Sequence, residues 1–172
     1  MKGARVITYI ALTGAQVVIQ NFLDSGPWIL LSLLPVMIMA LDIRYSPVRV
    51  MSLAFLMAFA VDFFATGVPG LTIIPLVALA FAREMIIKLV FGSELFARKE
   101  DISEHKQGFA KVLTAIFIAN LLFFTIFVWI EAAGARDFAF CVARVAGSVL
   151  VSTVAGIFAA RLINSVEDAG WK

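Results

Sequence analysis

An acidic side chain inside an apolar stretch is the first candidate for chemistry. Asp62 lies within Val48–Val68, a run long enough to cross a bilayer. A carboxylate at that depth costs roughly 2.5–3.5 kcal/mol on insertion scales, so it must face protein or water. Two roles suit it: a proton or ion site in a cavity, or one half of a structural ion pair. Ala54 and Ala58 precede it at four-residue intervals, which places all three on one helix stripe. Arg144 is the matching cation. At 1.5 Å per residue, Asp62 lies roughly 21 Å above the inner start of its helix and Arg144 roughly 9 Å below the outer surface. In an apolar core of about 30 Å these depths coincide. The sequence therefore predicts that Asp62 and Arg144 pair, or line one polar pocket, in a structural role.

The remaining polar residues of the apolar runs read as packing devices. Ser148, Ser152, Gly156 and Ala160 recur at intervals of four, a small-residue face that lets two helices approach closely. It is read as an internal seam or a face for another protein, as is the Ala54–Ala58 face. Asn120 and Gln16 are read as interhelical hydrogen-bonding groups, each worth about 0.6 kcal/mol. Arg83, Lys88, Arg98 and Lys99 form a basic set on the cytoplasmic side. Arg83 has a stem long enough to snorkel to the headgroups, and Glu84–Lys88 is an i,i+4 pair in the favoured order. The mixed-charge stretch Glu94–Gln107 reads as a solvated connection.

Catalytic signatures are missing from the sequence: no nucleophile elbow, no phosphate-cradling glycine loop and no zinc helix motif. One cysteine, Cys141, and one histidine, His105, can form neither an internal disulfide nor a cysteine metal cage. No cofactor, metal, nucleic acid or small-molecule substrate is expected.

The elements that must carry these residues follow from composition. Of 172 residues, 62% are hydrophobic and 15% charged, with a mean hydropathy of +1.00. A soluble domain would carry about 45–50% apolar and about 25% charged residues. Six apolar segments are read: Val6–Phe22, Trp28–Leu41, Val48–Val68, Leu71–Phe91, Phe109–Ile130 and Phe138–Leu162. All are expected to be helices, because lipid offers an open chain no other way to satisfy its backbone. The second is short for a span and carries Pro35, so it must start near Leu23, tilt, or thin the bilayer. Pro75 falls in the first turn of the fourth, where a missing N–H costs least. Counted by alternating connections, 12 of the 14 Lys and Arg residues fall on one side and two, Arg136 and Arg144, on the other. The positive-inside rule then puts both termini in the cytoplasm. Lys2 and Arg5 precede the first run as in a signal peptide, but no small-x-small cleavage site is obvious before Gln16 and the polar Gln16–Gln20 pair suits a packed helix better, so the segment is read as retained. The expectation is one domain, residues 1–172, an all-α bundle of six transmembrane helices.

With the third and fourth segments in view, the chain resembles the rod shape-determining protein MreD family. The resemblance rests on Ala58-Phe59-Ala60-Val61-Asp62-Phe63-Phe64, then Gly67 and Gly70, then Phe81-Ala82-Arg83, and on the polar Gln16-Gln20-Asn21 end of the first segment. Ala58 stands where that family more often has glycine. The likeness spans most of the chain in topology and about thirty residues in motif. It implies a multi-pass protein of the bacterial cytoplasmic membrane, a non-enzymatic scaffold of the cell-wall elongation machinery. Such a scaffold works with an MreC-like bitopic partner and, through it, with an MreB-like filament and wall-synthesis enzymes. It also implies a fold similar to the substrate-binding components of energy-coupling-factor transporters. The residues alone leave two alternatives, a membrane subunit that captures a small solute for a transporter and an intramembrane lipid-modifying enzyme.

Overall fold

The computed structural model describes residues 2–22, 28–92 and 108–169, with side chains for 6–22, 28–92 and 108–163. Arg98, Lys99 and the Glu94–Gln107 connection lie outside the described residues. Within them the chain is helical, with no strand. The helices are α1 (Lys2–Phe22), α2 (Leu34–Met39), α3 (Pro47–Val61) continued by a π-helical turn (Asp62–Thr66), α4 (Ile73–Phe91), α5 (Phe109–Ala132) and α6 (Phe138–Ala169). Among the described residues, three stretches are long and apolar enough to cross a membrane: Pro47–Thr66, Phe109–Ala132 and Phe138–Ile163.

The five long helices form a ring. α1 packs on α3, α3 on α4, α4 on α5, α5 on α6, and α6 returns to α1. Inside the ring sits α2, which touches all five and whose six residues are all buried. The second segment is thus the core of the bundle, and only its latter part is helical. Residues 29–33 have no helical structure, which corrects the expectation of six complete helices.

Pro35 supplies the local cause. In a continuous helix its nitrogen would donate to the carbonyl of Leu31, but proline has no N–H and its ring crowds that carbonyl. The chain therefore enters α2 unwound, with Pro35 at the second helical position, where it is tolerated. Unwinding also settles the length of the segment. Trp28 packs on Phe140 with the rings tilted, centroids 4.7 Å apart. Leu30 and Ser32 bond to Ser148 and Ser152, Val36 abuts Gly156, and Ala40 shares a cleft with Ala160. The segment runs parallel to α6 over residues 140–160, about 30 Å of helix. Five extended steps at about 3.3 Å and seven helical ones at about 1.5 Å cover about 27 Å, nearly the same length.

Polarity is reversed relative to a soluble protein. The buried set includes Gln16, Asp62, Arg83, Asn120 and Arg144, while Ile7, Leu56, Phe81, Met85, Leu150 and Phe158 project outward. An apolar coat on every long helix, with polar groups inside, is compatible with a hydrocarbon surround.

Gly156 marks the tightest packing. A Cβ there would lie 2.5 Å from Val36 Cγ2 and 3.3 Å from Ile116 Cγ2, and β-branched side chains in a filled core have little freedom to yield. Gly156→Ala is expected to lower stability by about 1–3 kcal/mol, read as a lower unfolding midpoint in mild detergent. An unchanged midpoint would mean that α2 is not wedged against α6.

Candidate functional site

The site is built around the unwound stretch of the second segment. An extended chain points its backbone groups alternately to opposite sides, and here each side meets a helix carrying polar side chains. Toward α6, the N–H of Leu30 donates to Ser148 Oγ at 2.9 Å. The N–H of Ser32 donates to Ser152 Oγ at 3.0 Å, and Ser152 donates in turn to the carbonyl of Leu30 at 3.3 Å. Toward α1, the Gln16 amide takes both roles: Nε2 donates to the carbonyl of Leu31 at 3.1 Å, and Oε1 accepts from the N–H of Leu33 at 2.8 Å. The Leu31 carbonyl is the one that Pro35 cannot serve. Gln16, Ser148 and Ser152 are fully buried. They do for this segment what neighbouring strands do in a sheet.

That geometry changes the meaning of the small-residue faces. Ser148, Ser152, Gly156 and Ala160 are buried against the second segment, and Ala54 and Ala58 are buried too. Neither face is open to another protein. Gln16 bonds the backbone of the unwound segment, not a side chain of a neighbouring helix. Asn120 does bridge helices, donating from Nδ2 to Thr153 Oγ1 at 3.0 Å between α5 and α6.

The expected Asp62–Arg144 pair does not form. Asp62, 1% exposed, ends α3 and turns its carboxylate onto the start of α4. Oδ2 accepts from the N–H of Gly70 at 2.8 Å and of Ile73 at 3.3 Å. Oδ1 accepts from the N–H of Thr72 at 2.9 Å and from Thr66 Oγ1 at 3.3 Å. The first N–H groups of a helix have no partner within it, and here every one is served. Ile73 bonds to Asp62, Ile74 to the carbonyl of Gly70, Pro75 has no N–H, and Leu76 bonds to the carbonyl of Thr72. A carboxylate at this position also meets the positive end of the helix dipole. The π-helical turn makes the approach possible. It closes with the N–H of Gly67 on the Asp62 carbonyl at 2.8 Å. Gly70 (φ 101°) then holds a backbone conformation that side chains disfavour.

Arg144 is instead clasped by Glu131, the two 2.9 Å apart, across the connection from α5 to α6. Arg136 approaches the same carboxylate at 4.0 Å. Asp62 and Arg144 both lie toward the end of the bundle that holds the α3–α4 and α5–α6 connections. Each found a nearer partner across its own connection. Glu131 had a sequence signal, the acid closing one apolar run just before the run that carries Arg144. The donors of Asp62, apart from the Thr66 hydroxyl, had none, being backbone groups.

Arg83 does not snorkel. It is 4% exposed, and Nη2 donates to the carbonyls of Leu41 and Met39, capping the negative end of α2. Lys88 is exposed and bonded to Glu84 at 2.6 Å. Compared with models of known families, with curated proteins and with solved structures, the chain matches none.

Two measurements test these assignments. Asp62→Ala is expected to cost roughly 3–5 kcal/mol of unfolding free energy, because one buried N–H (Thr72) and two part-buried ones (Gly70, Ile73) lose their acceptor, each at about 1–3 kcal/mol when buried. Asp62→Asn keeps one acceptor oxygen and should cost less. In double-mutant cycles with neutral replacements, Arg144 should couple to Glu131 by about 0.5–3 kcal/mol and combine additively with Asp62. The reverse pattern would restore the original pairing.

Proposed function

We propose that this protein is a non-enzymatic, multi-pass scaffold of the bacterial cytoplasmic membrane, a subunit of the cell-wall elongation machinery that binds an MreC-like single-spanning partner. The chain crosses the bilayer six times, the second time through the unwound segment, and both termini face the cytoplasm. The observation that carries the reading is the occupied axis. The bundle interior, where a captured solute would sit, is filled by α2, and the buried polar residues are spent on holding that segment and the helix ends. Asp62, Arg83, Arg144, Gln16, Ser148 and Ser152 each have a partner within the chain. The start of α1, Pro47, the end of α4 and the end of α6 share one end of the bundle, which also carries Arg44, Arg49, Lys88 and Lys111, all exposed. That agrees with a cytoplasmic end. The wall-synthesis role rests on the sequence resemblance, and the filled interior favours it over solute capture.

With both small-residue faces used internally, a partner helix must meet the outward rows. The test is co-purification in mild detergent with the MreC-like protein of the same cell. The partner should be retained at roughly equal stoichiometry, and Ser148→Leu should lose it only along with the fold, seen as a matching fall in the unfolding midpoint. Failure to retain that partner, together with saturable binding of a small solute, would replace the scaffold reading with the transport one.

A further inference from the structure

We propose that the junction of the second segment, α5 and α6 binds a single water molecule, held between the side chains of Ser32 and Asn120. The site depends on the packing of the bundle and not on the scaffold role. Both residues are sealed from the outside, Ser32 at 2% exposure and Asn120 at 0%. Ser32 Oγ and Asn120 Oδ1 nevertheless have no hydrogen-bonding partner among the described residues. Turning the Asn120 amide over exchanges its oxygen and nitrogen, yet leaves one of them unpaired either way. Buried polar groups are paired with protein or ordered water in the great majority of cases, so two orphans at one junction call for a ligand.

Contacts with α6 bring the two side chains to one level. The N–H of Ser32 donates to Ser152 Oγ at 3.0 Å, and Asn120 Nδ2 donates to Thr153 Oγ1 at 3.0 Å, so both meet consecutive residues of one helix. The neighbouring layer fixes the register. Val36 and Ile116 pack in one cluster, and both lie against Gly156. Four residues toward the α5–α6 connection, about 6 Å along a helix, those three positions become Ser32, Asn120 and Ser152. Asn120 shares its helix stripe with Ile116 and so turns toward the second segment as Ile116 does.

Water suits the junction better than an ion. Ser32, Asn120, Ser152 and Thr153 are all neutral, and Ser152 is already engaged, accepting from Ser32 and donating to the carbonyl of Leu30. A cation in an apolar interior needs a compensating charge, and this group supplies none. One water accepts from the Ser32 hydroxyl and donates to the Asn120 carbonyl, which satisfies both orphans.

The test compares unfolding midpoints of the full-length protein in mild detergent, alongside a crystal structure at a resolution that shows ordered water. Ser32→Ala should lower the midpoint, because the bridge is lost and the Asn120 oxygen is stranded. A buried hydroxyl without a ligand is a penalty, and deleting it raises the midpoint or leaves it unchanged; either result would overturn the proposal. In an Asn120→Leu background, where the water has already lost its second partner, Ser32→Ala should no longer lower the midpoint. A full additive loss there would show that the two side chains share no ligand. Midpoints in sodium, potassium and choline chloride at equal ionic strength should agree, and a rise specific to one metal ion would replace the water with a cation. Should the variants fail to fold, the unaltered protein decides. Density for one water within hydrogen-bonding reach of Ser32 Oγ and the Asn120 amide is expected; a direct bond between the two, or a dry contact, would remove the site.

Discussion

Backbone groups that leave a helix inside an apolar bundle must find partners from the protein itself, and residues 29–33 impose that demand here. In hydrocarbon each unmet N–H or carbonyl costs several kcal/mol, so non-helical backbone survives only where side chains are placed to receive it. Gln16 on one side and Ser148 with Ser152 on the other meet the alternating groups in register. The ring of five helices can close around the second segment because that segment is satisfied from both flanks. Gly156 then lets α6 come close enough to make the contact.

The ionisable residues extend the same logic to the helix ends. Asp62 serves the first amides of α4, Arg83 the last carbonyls of α2, and Glu131 with Arg144 ties α5 to α6 across a short connection. Each charge costs free energy to bury and is offset by groups that would themselves be costly unpaired. Residues that look chemical in the sequence are thereby bonded to groups of the chain itself. The exterior offers two kinds of surface: apolar rows along the helices, and a basic rim where α3 begins and α4 nears its end.

Much of this was legible in advance. The apolar runs gave the number of segments, and four of the five long helices begin within two residues of the expected starts; α1 begins four earlier. The shortness of Trp28–Leu41 and its proline already marked the second segment as unusual. The burial of Asp62 followed from the cost of a carboxylate in an apolar run. The main partners of Asp62 were not legible, because they are main-chain amides that every residue possesses and that only a helix terminus exposes. The fate of the small-residue faces was hidden for a similar reason: close approach requires small residues whether the neighbour is another protein or the chain's own second segment.

Composition and spacing by themselves determined a bundle of apolar helices, a lopsided distribution of basic residues, and polar side chains too costly to leave in lipid. Those are sums over local transfer energies, which depend on residue type and need no knowledge of neighbours. The tertiary structure decided which segment becomes the core, that it is half unwound, and which groups pair, because hydrogen bonds act over about 3 Å and their partners are fixed only once the helices have been brought side by side.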